Sequence, residues 1–252
     1  MDMAWYTAIF LGLVQGLAEF LPISSSGHLL LFEQLFGVTN GGLLFTLMLH
    51  LATLLAVIVV YRTRLWQMLR HPFCRENWQL LLGTVVTCGL VLIGKDWLDT
   101  LFSFHALPWT FIATGVILLL PTIIKKRPRL NPWLQFVVVG AVQGIAVVPG
   151  LSRSGLTMTA GQLCGQDQAT AADNSFLLSI PIIVASLVYE VWGADTVLTC
   201  GWGNLVLAFA SAFVAGLVAI KWLLKLVRRF DCRWFAGYLL LLGICLRLYI
   251  GF

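Results

Sequence analysis

The chain has 252 residues, 60% of them hydrophobic and only 11% charged, against roughly a quarter charged in soluble domains; its mean hydropathy is +0.92. That composition excludes a water-soluble globular enzyme. The recurring apolar runs, long enough at about 20 residues to cross a bilayer as helices and lacking short alternating strands, exclude an outer-membrane barrel. The formal net charge of +5 comes from basic residues in short connections between those runs, where it marks membrane orientation rather than a nucleic-acid partner.

In chain order, MDMAWY lacks a basic region, and Gln15 and Glu19 interrupt the apolar run behind it, so no cleaved signal peptide is expected. That run is broken by GLAEFLPISSSGHL (16–29). Pro22 should end a short helix over about 4–21, and the serines should open a second over about 24–37. Three full spans are expected near 43–61, 78–95 and 107–124. A second broken run, GAVQGIAVVPGLSRSG (140–155), precedes spans expected near 171–189, 206–223 and 235–252. The six cysteines (Cys74, Cys88, Cys164, Cys200, Cys232, Cys245) are scattered without a CxxC pair and read as small apolar fillers, not as a metal site or disulfide framework.

The two broken runs align at a constant offset of 128 residues, matching Gly12 with Gly140, Gln15 with Gln143, Gly16 with Gly144, Ala18 with Ala146, Ser24 with Ser152, Ser26 with Ser154 and Gly27 with Gly155. Pro22 and Pro149 slip by one. The spans repeat at the same offset, so the chain reads as one polytopic membrane domain, 1–252, made of two repeats, about 1–126 and 129–252. Arg62, Arg64, Arg70 and Arg75 follow the first span. Lys125, Lys126, Arg127 and Arg129 follow the third, and Lys221, Lys225, Arg228, Arg229 and Arg233 lie between the last two. These positions share the cytoplasmic side if each broken pair returns to the face it entered from; the connections 95–106 and 193–203, with Lys95 alone, fall outside. Three crossings per half invert one half relative to the other. The expected fold is therefore an all-α integral membrane protein with an inverted-topology repeat: six full transmembrane helices plus two re-entrant, broken helical hairpins. Both termini are expected on the non-cytoplasmic side.

The polar residues then acquire a purpose. Ser24, Ser25, Ser26 and Gly27, and likewise Ser152, Arg153, Ser154 and Gly155, should open half-helices whose N-termini cradle phosphate. Arg153 at mid-membrane costs roughly 2.5 to 3.5 kcal/mol on insertion scales, so it needs a partner or a function. Its fork suits phosphate oxygens, while the structural alternative is an ion pair with Glu19. Glu19 lies one helical turn after Gln15, placed to act as a general base or to give an oxygen to a divalent metal, with the base role ranked first. His28 is a candidate base, nucleophile or proton donor. Thr157, His50 and Asp173 are polar groups that a cavity would use, although small hydroxyl residues also mediate plain helix packing.

The motifs QGLAEFLPISSSGHL and PGLSRSGLT (149–157), supported by FTLMLHLATLLAV (45–57) and SFLLSIP (175–181), resemble the undecaprenyl-diphosphate phosphatases of the bacitracin-resistance type, and the similarity spans nearly the whole chain. The resemblance implies a multi-pass protein of the bacterial plasma (inner) membrane. Its activity would be dephosphorylation of a C55 polyprenyl diphosphate to the monophosphate that carries cell-wall building blocks, at a site open to the periplasmic or outer face. By the same resemblance Glu19 is the general base or a metal-linked carboxylate, Ser25 the nucleophile, and His28 the acid/base or a competing nucleophile. Arg153 with Ser152 is the diphosphate clamp, and Gln15, Ser24, Ser26, Gly27, Ser154, Gly155 and Thr157 complete the substrate-binding set. The family often carries Glu at the place of Gln15; the amide here weakens the case for a tightly held metal. Expected partners are the polyprenyl diphosphate, membrane lipids and a second copy in a homodimer. The expected cofactor is a divalent cation, Mg²⁺ or Ca²⁺, with no organic group. A phosphoserine, a phosphohistidine and direct water attack all stay open. The rival reading is a transporter or flippase of polyprenyl phosphate using the same midplane site.

Overall fold

The computed structural model describes residues 3–38, 42–100, 103–125, 127–193, 201–227 and 232–251, with the side chains at 95–100, 190, 192–193 and 227 left out. Lys126, Arg228, Arg229, Cys200, the side chain of Lys95 and most of the expected 193–203 connection lie outside the described residues. The chain forms α1 (Trp5–Phe20), α2 (Ser25–Leu35), α3 (Gly42–Arg70), α4 (Arg75–Thr100), a 3₁₀ turn (Phe104–Ala106), α5 (Leu107–Ile123), α6 (Pro132–Ile145), α7 (Arg153–Leu163), α8 (Gln168–Gly193), α9 (Trp202–Val227) and α10 (Arg233–Ile250). No strand occurs among the described residues.

Six of these helices contain apolar stretches long enough to span a bilayer: Gly42–Arg70, Arg75–Gly94, Phe104–Ile123, Gln168–Tyr189, Trp202–Leu226 and Arg233–Ile250. The protein is therefore a multi-pass membrane protein. The helices α1, α2, α6 and α7, with 16, 11, 14 and 11 residues, fall short of the roughly 20 a crossing needs. Exposed aromatics such as Trp5, Tyr6, Trp66, Trp133, Trp202, Trp234 and Tyr249 sit near helix ends, the level at which amphipathic rings meet headgroups.

Several helix ends run past the sequence reading, α4 to Thr100, α8 to Gly193 and α9 to Val227, and α3 runs furthest. The helix α3 continues nine residues past the expected end at 61, to Arg70, because TRLWQMLR is rich in good helix formers. Arg62, Arg64 and Arg70 consequently lie on helix rather than in a loop, as do Lys221 and Lys225 on α9. Arg64 there pairs with Glu76 at the start of α4 and, at 3.8 Å, with Asp173 of α8.

Small residues set the packing, as expected where lipid tails remove any hydrophobic drive between helices. Gly12 and Gly16 of α1 meet Ala208, Ser211, Ala212 and Gly216 of α9 with the two helices running parallel. In the same manner Gly140 and Gly144 of α6 meet Gly83, Thr87 and Leu90 of α4. Between α5 and α10 the chains run antiparallel: Gly115 faces Ala236 and Leu240, and Gly243 faces Pro108 and Ile112. These last contacts are each other's images at the offset of 128. Where α1, α3, α8 and α9 meet, Phe20, Phe45 and Phe176 are fully buried.

Candidate active site

Each break is built by a serine cap. In the first, α1 stops at Phe20 before Pro22, and the Ser24 hydroxyl accepts the Gly27 N–H at 3.3 Å to open α2. In the second, α6 stops at Ile145, and the Ser152 hydroxyl accepts the Gly155 N–H at 3.1 Å to open α7. By helix geometry the N–H groups of Ser25, Ser26, Arg153 and Ser154 then have no intrahelical acceptor. Ser24 has φ +71°, a left-handed conformation that costs a non-glycine residue about 1–2 kcal/mol. It is the only non-glycine residue with positive φ among the described residues.

The two breaks face each other. A Cβ added to Gly27 would lie 2.8 Å from Gly150 Cα and 2.8 Å from Phe111 Cε1, so only glycine permits this approach. Across the same seam the Ser154 hydroxyl donates to the Leu21 carbonyl at 3.1 Å. Ser24 and Ser26 hydroxyls stand 3.5 Å apart, and Ser152 and Ser154 hydroxyls 3.3 Å apart. The backbone of the second break is held by Thr114, which accepts the Ser152 N–H at 3.3 Å and donates to the Gly150 carbonyl at 3.0 Å.

At the seam sits Glu19, 8% exposed. One carboxylate oxygen, Oε1, receives Arg153 Nη2 in a partly buried ion pair. The other, Oε2, accepts from the Ser25 hydroxyl at 2.5 Å and from Gln15 Nε2 at 3.1 Å. The Gln15 carbonyl oxygen is buried without a partner. Bringing Glu19 and Arg153 out of water is tolerable only because each meets the other and further hydrogen bonds complete the carboxylate. His50 of α3 has its Nδ1 bonded at 2.9 Å to the Thr46 carbonyl.

His28 lies on the same first turn of α2 but in different company. Its Nδ1 is 2.8 Å from the Ser24 carbonyl and its Nε2 is 2.7 Å from the Tyr238 hydroxyl, with the two rings stacked. A carbonyl can only accept, so Nδ1 carries the proton, and in the neutral ring Nε2 accepts from Tyr238. No hydrogen bond joins His28 to Glu19 or Ser25. Thr157 is committed to packing: its hydroxyl bonds the Arg153 carbonyl at 2.8 Å and the Ser175 hydroxyl at 2.6 Å. Asp173 is elsewhere, accepting from Tyr61 at 2.6 Å beside Arg64. The structure thus gathers Gln15, Glu19, Ser24, Ser25, Ser26, Gly27, Ser152, Arg153, Ser154 and Gly155 at one seam, with His28 and Thr157 beside it but bonded to other partners. Tyr238, Thr114 and Ser175 belong to the same polar cluster, and nothing in their apolar surroundings in the sequence singles them out.

The description "Bacitracin resistance protein BacA" is that of the family model matching residues 8–245. The chain belongs to that family. Similar proteins named undecaprenyl-diphosphatase occur in Treponema denticola, 39% identical with 98% of each chain covered, and in Carboxydothermus hydrogenoformans, 35% identical with 95% of each covered. Another, from Mycobacterium leprae, is 33% identical, covering 96% of this chain and 93% of that protein. Both motifs of the seam, 15–29 and 149–157, fall inside the matched range of this membrane family. No group of three His, Cys, Asp or Glu side chains is gathered among the described residues.

Proposed function

We propose that the chain hydrolyses undecaprenyl, or a related polyprenyl, diphosphate to the monophosphate and inorganic phosphate, at a site open to the outer face of a bacterial plasma membrane. The observation that carries this reading is the direct 2.5 Å bond from the Ser25 hydroxyl to Glu19, beside the Arg153 guanidinium. A base, a hydroxyl and a planar cation meet at two apposed helix N-termini, the kind of positioning and charge that phosphoryl transfer uses.

In the proposed sequence the diphosphate displaces Glu19 from Arg153, whose fork then binds the phosphoryl oxygens together with the open N–H groups of α2 and α7. Ser25 passes its proton to Glu19 as its oxygen bonds the terminal phosphorus. The bridging P–O bond breaks, and its electron pair leaves on the lipid monophosphate. Water next bonds the phosphorus of phosphoserine and the Ser25 Oγ–P bond breaks. The water's proton passes to phosphate and the Glu19 proton returns to Ser25. His28, engaged by Tyr238 and Ser24, orients the first turn of α2 rather than attacking. The residues fit a divalent cation, Mg²⁺ or Ca²⁺, in the way Mg²⁺ is commonly held, by one carboxylate and substrate phosphate oxygens. Glu19 and the unpartnered Gln15 carbonyl would hold it, and it would supply positive charge beside the transferring group.

The same reading makes the molecule one domain of two inverted repeats, about 1–126 and 129–252, with α1–α2 and α6–α7 as re-entrant hairpins and both termini outside. Supporting it, equivalent helices α5 and α10 pack antiparallel through contacts that repeat at the offset of 128, as oppositely oriented halves would. Purified protein in detergent should release phosphate from prenyl diphosphates of several chain lengths, with Glu19→Gln and Arg153→Ala silent and chelator testing the cation. No release, together with lipid movement in vesicles, would overturn the enzyme reading in favour of a carrier. Accessibility labelling that threads both halves in one direction would overturn the inverted repeat.

A further inference from the structure

The two breaks are braced crosswise. Gly150 of the second break lies against Thr110 of α5, so closely that a Cβ added there would collide with the threonine hydroxyl. Thr114, one turn on, holds the Ser152 N–H and the Gly150 carbonyl at 3.3 and 3.0 Å. The position 128 residues after Thr110 is Tyr238 of α10, and its hydroxyl reaches the first break, 2.7 Å from His28 Nε2. Each break is thus touched by the last long helix of the other half of the sequence. In the second break the grip is on backbone; in the first it passes through a side chain.

The first break also has more to hold. Ser152 caps α7 with an ordinary φ of −80°, and its carbonyl accepts the Leu156 N–H at 2.8 Å. Ser24 caps α2 with φ +71°. Its carbonyl accepts twice, from the His28 N–H at 3.2 Å and from the His28 imidazole at 2.8 Å, so both lone pairs of the strained residue are engaged. His28 is 4% exposed. Its ring stacks on Tyr238 with centroids 5.7 Å apart and rests against Phe111 at 5.2 Å. A neutral imidazole has one donor and one acceptor, and the bond made by one nitrogen fixes the proton on the other. The Tyr238 hydroxyl, donating to Nε2, therefore keeps the proton on Nδ1, where Ser24 receives it. Without that hydroxyl Nε2 is a buried acceptor left unpaired, and the ring is no longer held in the orientation that serves Ser24.

We infer that Tyr238 is a positioning residue of the reaction: acting through His28, it locks the left-handed Ser24 cap and so aims the Ser25 hydroxyl and the open N–H groups of α2. The inference rests on the phosphatase reading and adds to it the residue that sets the nucleophile's direction. Ser25 follows Ser24 directly and lies 2.5 Å from Glu19, so a cap relaxing toward the backbone of Ser152 would turn that hydroxyl away from the acid.

Phosphate release by the purified parent protein is measured first, because its absence would remove the phosphatase reading and leave the clamp itself standing. Nitrogen NMR of isotope-labelled histidine in nanodiscs reads the clamp without turnover. The His28 signals, assigned by their loss in His28→Asn, should show a protonated Nδ1 and a hydrogen-bonded Nε2, and Tyr238→Phe should move Nε2 to the frequency of a free acceptor or mix the tautomers. In Tyr238→Phe kcat should fall a few-fold to about tenfold, with KM held within about twofold. His28→Asn places an amide N–H where Nδ1 stands and nothing at Nε2. It should keep turnover within about tenfold of the parent, and adding Tyr238→Phe should then cost nothing further. Extinction of turnover in His28→Asn would make His28 a reacting group, and additive losses in the double variant would make Tyr238 a packing residue. Either result overturns the inference, as do His28 nitrogen signals indifferent to Tyr238→Phe.

Discussion

The two breaks, residues 19–28 and 147–156, are built alike and furnished differently. Both open with a serine cap, at Ser24 and Ser152, and both carry a second serine two residues on and a glycine three residues on. Yet Glu19 corresponds to Val147, Ser25 to Arg153 and His28 to Leu156. Even the paired glutamines diverge, Gln15 donating to Glu19 at 3.1 Å and Gln143 to Thr87 at 3.2 Å, although both leave a buried carbonyl oxygen without a partner. The two serine-capped breaks differ even at the cap, Ser24 having φ +71° and Ser152 φ −80°, and the acid and the hydroxyl lie in one, the cation in the other. Neither break holds the acid, the hydroxyl and the cation together.

That division can be attacked at several strengths. The largest effect is expected from Glu19→Gln, which should lower phosphate release by about 10²- to 10⁴-fold. Ser25→Ala should cost as much, and the double variant little more, because the two act as one unit; additive losses would separate them. Arg153→Lys keeps the charge and loses the fork, and a drop of about 10²-fold in kcat is expected. Near-normal turnover would reduce the second break's contribution to a point charge. Gly27→Ala should force the seam apart, lowering stability by about 1–3 kcal/mol along with activity. Gly155→Ala should be milder in a thermal melt, since its nearest contacts, Pro22 Cβ and Ser152, are at 3.1 Å. Tyr238→Phe removes the donor to His28 Nε2, and a fall in kcat of a few-fold to about tenfold is expected.

The smallest effect lies outside the membrane. Asp167 precedes α8 and accepts from the Thr170 N–H at 2.9 Å and from its hydroxyl at 2.5 Å. These bonds, the Thr170 hydroxyl foremost, hold its carboxyl below the usual 3.8. The resulting stability is present above that ordinary value and lost as pH falls through the lower native one. Asp167→Ala should cost no more than about 1 kcal/mol in a melt near neutral pH.

Much of this was legible in the chain itself, for identifiable reasons. The two broken runs showed because Gln, Gly and Ser stand at a fixed offset in an otherwise interchangeable apolar background. Pro22 and the caps showed because backbone chemistry dictates them locally. Arg153 invited a partner because a lone guanidinium is costly in hydrocarbon. What stayed hidden depends on tertiary placement. Tyr238 reaches His28 across 210 residues from within an ordinary lipid-spanning run, and no pattern marks it. Nor does anything local announce that Ser24 takes a left-handed backbone.

The ion pair between Glu19 and Arg153 joins residues 134 positions apart, and this has a consequence for how the protein is made. At ribosomal rates of about 5–20 residues per second, the acid is synthesised roughly 7 to 27 seconds before its counter-ion. Through that interval the newborn first half holds a carboxyl group that the bilayer will accept only uncharged or still sheltered by the insertion machinery. Biogenesis thus has an order: the acid of the first break is made long before the guanidinium of the second that pairs with it.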